Sequence, residues 1–271
     1  MTADLPLLDN PRSERVRQVT ALGRRAVRRR TGRFLVEGPQ AVRELLVHAC
    51  DHAESVYLTA EAADRHADLV EEAAAGRVRL QHCTPQVLAA MADTPHPQGV
   101  VAVAREVGVD AARALEAAGR SGYVVLLANV RDPGNAGTVI RGADAFGAAA
   151  VLVSDASVDV YNPKVVRSTV GALFHLPVST GTPLPDLLRL CKEAGLRLLA
   201  ADGTGQTMLP DADLSTPHAW VLGNEAQGLG EDVLRACDQA VAVPIVRVES
   251  LNLAMAATVC LHASAAARRS A

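Results

Sequence analysis

Short apolar runs bounded by polar turns alternate along this chain with segments whose apolar residues recur at helical spacing. In the first half, 34–36, 56–58, 78–80 and 99–104 read as strands. Helices are predicted over 39–49, where Val42, Leu45, Leu46 and Ala49 share one face, and over 60–75 and 85–91. These elements make a compact α/β unit of roughly seventy residues. Residues 105–121 read as a helical or mixed linker, and a larger α/β unit follows. Its strands are 123–128, 150–153, 196–201, 219–222 and the run Val241, Val243, Ile245 interrupted by Pro244. Between them, Ala136, Val139, Ile140, Ala143 and Phe146 form a helical stripe ending at Gly147, and 162–173, 187–194 and 231–237 carry further helical turns. The strands are nearly unbroken apolar runs, as in a parallel sheet covered on both faces.

The end of the chain shows how pattern and polarity combine. Leu253, Ala256, Ala257, Cys260 and Leu261 fall three and four residues apart, which places an apolar stripe on a helix, and Ser250 stands where its N-cap is expected. Glu249, Ser250 and Asn252 crowd the turn before that helix. Such a turn is either a capped junction with solvated polar groups or a small-ligand site that uses the free N–H groups of the helix start.

Composition narrows the class. The 271 residues are 49% hydrophobic and 21% charged, which suits a folded domain, and aromatics at 3% leave the core to Ala, Val and Leu. No apolar run approaches the roughly twenty residues of a membrane span, and the first thirty residues lack a signal-type apolar region, so a soluble, cytoplasmic protein is expected. The five cysteines are widely spaced without a C-x-x-C pair, which fits neither a disulfide framework nor a zinc motif. His48, Cys50 and His52 read as a solvated helix face, and no metal is expected. Net charge is −3, but residues 1–33 hold nine Arg against Asp4, Asp9 and Glu14. That arm points to a polyanion, or else forms an extended, self-repelling tail.

Open parallel sheets bind ligands beyond the carboxyl ends of their strands. Three such ends carry dense polar sequence: 129–148, 222–230 and 243–254. None contains a P-loop or G-x-G-x-x-G. Together they hold Asn135, Gly137 and Arg141; Gly223, Asn224 and Glu225; and Pro244, Ser250, Leu251 and Asn252. In that order and spacing the three loops resemble the motifs of the SpoU/TrmH family of RNA 2'-O-ribose methyltransferases, within the SPOUT superfamily. The resemblance covers about 122–265, and GRFLVEGPQAVRELL (32–46) looks like the opening of the substrate-binding domain of such enzymes.

The resemblance implies a parallel-sheet SPOUT fold with a C-terminal trefoil knot over 122–271, a ribosomal-protein-like RNA-binding domain over 33–104, and a basic arm over 1–32. It implies S-adenosylmethionine as methyl donor, held at Ala201, Leu222, Gly223, Val243, Ile245 and Leu251; glycine at 223 would let a ligand approach the main chain. It implies catalysis by Asn135, Arg141, Glu225, Ser250 and Asn252. A guanidinium is a poor base at neutral pH, so Arg141 is expected to act electrostatically, with phosphate or water accepting the proton. RNA contacts are expected from Arg24, Arg25, Arg28, Arg29, Arg30 and Arg33, and from Lys164 and Arg167 flanking the site. Ribosomal RNA is the preferred substrate, with tRNA possible, and a homodimer is implied. Ala226, Arg247 and His262 depart from the usual motifs without removing a catalytic position. A non-catalytic RNA binder of this fold and a small-molecule α/β enzyme are the competing readings.

Overall fold

A computed structural model describes residues 6–116, 118 and 122–269, so residues 1–5 of the expected arm and most of 117–121 in the expected linker lie outside it. The chain divides into two units, one reaching Val107 and including Tyr161–His175, the other made of Gly108–Val160 and Leu176–Ala271. The first half runs α1 (Glu14–Thr20), α2 (Arg25–Thr31), β1 (Arg33–Glu37), α3 (Pro39–His48), β2 (Ala53–Leu58), α4 (Ala60–Arg65), α5 (Ala67–Ala75), β3 (Arg79–His82), α6 (Pro85–Met91) and β4 (Val100–Arg105). The second half runs α7 (Ala111–Glu116), β5 (Tyr123–Leu127), α8 (Pro133–Ala145), β6 (Val151–Ser154), α9 (Pro163–Thr169), β7 (Val178–Thr182), α10 (Leu184–Glu193), β8 (Arg197–Ala201), β9 (Thr207–Met208), β10 (His218–Leu222), α11 (Glu231–Ala236), β11 (Gln239–Ala242) and α12 (Leu253–Arg269).

The first unit is a four-stranded sheet in the order β1-β4-β2-β3, with β4 antiparallel to both neighbours and β2 parallel to β3. The expected arm is part of this unit. Val16, Val19 and Leu22 are buried in one cluster with Leu35, Val87, Leu88 and Met91, and Leu8 bridges Cys83 beside β3. An apolar residue every third position anchors helix α1 to the core despite the surrounding arginines. Within the expected helical or mixed linker, α7 buries Ala111, Ala114 and Leu115 in the core of the second unit. The helix expected over 60–75 breaks at His66, whose backbone leaves the helical region.

The second unit is a seven-stranded, all-parallel sheet ordered β7-β6-β5-β10-β8-β11-β9. Its central strands β5 and β10 are wholly buried. The late strands enter between strands already laid down, β10 between β5 and β8, and β11 between β8 and β9. Pairing in register sets Leu222 beside both Leu127 and Ala201, and Val241 beside Ala201. Four strand ends therefore stop at one level, and the polar loops that follow them emerge together. Beneath them, His218, Trp220 and Ser264 are completely buried. Ser264 Oγ lies 2.8 Å from both His218 Nε2 and Trp220 Nε1, and His218 Nδ1 meets the Thr216 carbonyl at 2.7 Å. That geometry places the imidazole proton on Nδ1, so Ser264 donates to His218 Nε2 and accepts from Trp220.

The last strand is shorter than its apolar letters suggest. β11 stops at Ala242; Val243 is half-buried, Ile245 is 39% exposed and Val246 95% exposed, so 243–252 is a loop. The cap of α12 is Asn252, not Ser250. Asn252 Oδ1 accepts from the Ala254 and Met255 amides at 2.9 and 3.3 Å.

Candidate functional site

The first polar loop begins with Asn129, a non-glycine residue at φ +58°. That costly backbone is tied on three sides. Its amide meets Ser154 Oγ at 2.9 Å, its side-chain oxygen accepts from Ser154 at 3.0 Å, and its carbonyl accepts from Asn224 Nδ2 at 2.9 Å. Helix α8 then starts with Asp132 as its cap, the carboxylate accepting the Asn135 amide at 2.7 Å, and Pro133 at the first helical position. Asn129 and Asp132 were not singled out from sequence. The Asp-Pro pair at the helix start was the signal for Asp132, while the left-handed φ of Asn129 shows only in the structure.

Three motif residues from three loops meet through hydrogen bonds. Asn252 Nδ2 donates to Asn135 Oδ1 at 3.0 Å, and Asn135 Nδ2 donates to Glu225 Oε1 at 3.2 Å. The Glu225 carboxylate also accepts the backbone amides of Arg131 and Asp132 at 3.2 and 3.1 Å. Glu225 thus fastens the second loop to the start of α8, while Asn135 fastens α8 to the start of α12. Arg141 lies on α8, exposed and without a hydrogen bond or ion pair among the described residues. An exposed cation without a partner among the described residues is available to an anionic ligand. Ser250 is exposed in the 243–252 loop and does not join the relay.

Beside the relay is a cleft of about 360 Å³ lined by Ala201, Gly223, Val243, Ile245 and Leu251, five of the six residues expected to hold a cofactor. Leu222 is the buried strand residue immediately before it. Asp202, Glu225, Glu249 and Ser250 supply its polar wall, and Val241, Leu253 and Ala256 add apolar surface. Glycine at 223 also has a reason within the fold. A Cβ there would lie 2.5 Å from the Gly228 carbonyl carbon, so the residue makes room for the tight 224–228 turn, closed by Asn224–Gly228 backbone bonds of 3.0 and 2.8 Å.

The expected RNA contacts divide. Arg24, the N-cap of α2, and Arg25, Arg29 and Arg30 on that helix are exposed. Arg28 is 2% exposed and donates to the Leu22 and Gly23 carbonyls, both at 2.8 Å; it locks the turn before α2 and is removed from the RNA set. Arg33 pairs with Glu54 at 2.7 Å. Lys164 is exposed on α9, but Arg167 is bound at 2.9 Å to both Glu37 and Asp93 of the first unit, so its charge is spent inside that unit. A groove of about 490 Å³ along α1, α2 and the sheet carries Arg15, Arg30, Arg33 and Arg79, with Glu54 as counter-charge. Arg79, on edge strand β3, was not among the expected contacts. Among the described residues no helix is long and apolar enough to cross a membrane.

These features coincide with known families. The model of the SpoU rRNA methylase family matches residues 122–262, and that of the RNA 2'-O ribose methyltransferase substrate-binding domain matches residues 35–108. A 23S rRNA (guanosine-2'-O-)-methyltransferase, RlmB, of Bordetella pertussis is 33% identical over 242 residues, covering 87% of this chain and 98% of that protein. A tRNA/rRNA methyltransferase of Synechocystis, described as uncharacterized, is 31% identical over 97% of this chain and 94% of its own length. Among solved structures, the SpoU methyltransferase AviRb of Streptomyces viridochromogenes in complex with its cofactor AdoMet is similar, with a TM-score of 0.83 and 31% identity over 96% of this chain and all of that one. With two matched domains in this order and a relay joining its three motif loops, the chain belongs to the SpoU rRNA methylase family.

Proposed function

We propose that this chain transfers a methyl group from S-adenosylmethionine to the 2'-hydroxyl of a ribose in ribosomal RNA, with Arg141, Asn135, Glu225 and Asn252 forming the reaction site. The observation that carries this reading is the Asn252–Asn135–Glu225 relay bordering a cleft whose size and lining suit an adenosyl group. Ligand pockets are mostly apolar with a few polar anchors. Here Val241, Val243, Ile245 and Leu251 would flank a base, while Asp202 and Glu249 could accept hydrogen bonds from ribose hydroxyls. When bound, the donor supplies an electrophilic sulfonium methyl.

The chain's own residues have two tasks, to align the hydroxyl and to favour its oxygen as negative charge develops there. Arg141 is a fixed cation, so it stabilises that charge and the neighbouring phosphate; the proton leaves to phosphate or water. Asn135 is held at both ends, so it presents its remaining capacity in one orientation. Glu225 keeps the loop before α8 closed over the site. The exposed arginines of α2 and the groove bearing Arg15, Arg30 and Arg79 supply phosphate contacts.

A homodimer and a C-terminal trefoil knot belong to the same reading. Exposed Ile245, Val246 and Val248 in the loop, with Met255 and Val259 one turn apart on α12, support an apolar contact with a second copy. The late entry of β11 between β8 and β9 supports the threading. The decisive experiment incubates the full chain with S-adenosylmethionine and 23S rRNA, free or in ribosomal subunits, and maps 2'-O-methyl positions. Wild type should modify one nucleotide, and Arg141→Ala should abolish this while binding the donor within about threefold of wild type. Methylation of tRNA alone would reassign the substrate; loss of donor binding equal to loss of activity would refute Arg141's role.

A further inference from the structure

The histidine pair noticed in the sequence is placed differently from its spacing. Cys50 and His52 lie in a 3-10 turn after α3, and His52 Nδ1 faces the Glu106 carbonyl at 3.0 Å. His48 instead meets Glu44, one turn earlier on α3, and His175, which follows the turn Ala172–Phe174. All three residues belong to the first unit.

We propose that Glu44, His48 and His175 form a site for a divalent transition-metal ion of the zinc(II) type. Their donor atoms lie within 4.8 Å of one another. Glu44 Oε2 is 3.0 Å from His175 Nε2 and 3.4 Å from His48 Nε2, and the two rings stand edge to face with centroids 4.5 Å apart. Two ligands at bond lengths of about 2.0–2.1 Å from a tetrahedral ion are about 3.3 Å apart, so the two carboxylate–imidazole separations bracket that of a formed site. Without an ion, both Nε2 atoms must offer a proton to the same carboxylate oxygen. A cation at their meeting point satisfies all three lone pairs at once.

The carboxylate is also held from behind. Gln40 Nε2 donates to Glu44 Oε1, and Arg43 Nη1 donates to Gln40 Oε1 at 3.0 Å, which leaves Oε2 turned toward the histidines. Outer hydrogen bonds of this kind orient metal-ligating groups. Gly171, at φ +98°, makes room for the same side chain; a Cβ there would lie 2.4 Å from Glu44 Cγ. Two imidazoles and one carboxylate favour zinc, nickel or copper over magnesium or calcium. With three protein ligands and two of them exposed, a remaining position would hold water. The ion would clasp α3 to the end of the Tyr161–His175 segment and has no part in methyl transfer, so the site stands apart from the proposed reaction.

The test uses the full chain stripped by chelator and titrated with zinc(II) in calorimetry, with thermal unfolding in parallel. One ion per chain should bind and raise Tm, and magnesium should do neither. Glu44→Gln, His48→Gln and His175→Gln should each weaken binding at least tenfold, and Gln40→Ala about tenfold, the effect typical of an outer hydrogen bond. His96→Gln, an exposed histidine elsewhere, should bind as wild type does. Cobalt(II) should give visible bands that vanish in His175→Gln. Unchanged affinity in His48→Gln and His175→Gln with native circular dichroism, or no saturable 1:1 binding, would overturn the site.

Discussion

Removing the middle of the relay is the sharpest perturbation available. Asn135→Ala deletes two side-chain hydrogen bonds, one accepted from Asn252 at 3.0 Å and one donated to Glu225 at 3.2 Å. A neutral bond contributes about 1 kcal/mol net, and one to a carboxylate about 1.5–3 kcal/mol, at the lower end here because Glu225 is exposed. Together they position the site by about 2–3 kcal/mol, and loss of that positioning in the transition state lowers kcat/KM by about 30- to 150-fold. Asn135 does not line the cleft, so the affinity for S-adenosylmethionine should stay within about twofold. Asn252→Ala should lose activity too, and it also removes the cap of α12, worth about 1 kcal/mol of stability. Single-turnover methyl transfer on the two single variants and the double variant isolates the shared bond, whose coupling should be about 0.5–1.5 kcal/mol. Additivity within about 0.3 kcal/mol would show that the relay does not act as a unit, and a matching fall in cofactor affinity would make Asn135 part of the binding cleft.

Ser264→Ala strands the buried Trp220 indole N–H and His218 Nε2, and should destabilise the chain by about 2–5 kcal/mol in denaturant titration; a loss under about 1 kcal/mol would mean that other groups satisfy them. Burial lowers the pKa of His218, which therefore stays neutral in the folded chain while an unfolded His titrates near 6.5. The stability it contributes is complete above about pH 6.5 and falls by up to about 1.4 kcal/mol per unit below it, until the native imidazole itself titrates. His218→Gln should flatten that slope between pH 6.5 and 5 in thermal unfolding, and an unchanged slope would assign it to another group. Burial pushes the thiols of Cys83, Cys191 and Cys260 up to about 12, so at pH 8 a disulfide reagent should titrate all five thiols only after denaturation. Replacing Arg24, Arg25, Arg29 and Arg30 with Ala should weaken RNA binding and reduce its salt dependence by up to about three to four counterions; an unreduced slope would show that α2 does not touch phosphate.

Elements buried on both faces were readable from letters alone. Tyr123–Leu127 and His218–Leu222 are unbroken apolar runs because nothing polar is tolerated inside a covered parallel sheet. The three loops were recognisable as motifs, and five of the six expected cofactor residues line one cleft. Misreadings arose where charge density or apolar letters hid the packing. Nine arginines masked the spacing of Val16, Val19 and Leu22, which folds the arm into a domain. Val243 and Ile245 carry strand letters yet lie in a loop that runs to 252, and the helix cap is Asn252 where Ser250 was expected. The partners of Arg167 and His175 lie 74 to 131 residues earlier, distances that no local pattern spans.

The strand order has a consequence for how the chain is made. As translation proceeds, β5 and β8 emerge long before β10, the strand that pairs with both, and β8 must then wait again for β11. A nascent chain halted after Thr216 would leave β5 open on one side and β8 on both, each open border able to recruit a wrong partner. Ribosome-bound forms, or forms truncated before residue 218, should therefore depend on chaperones until β10 and β11 leave the exit tunnel, when the sheet can close in one late step.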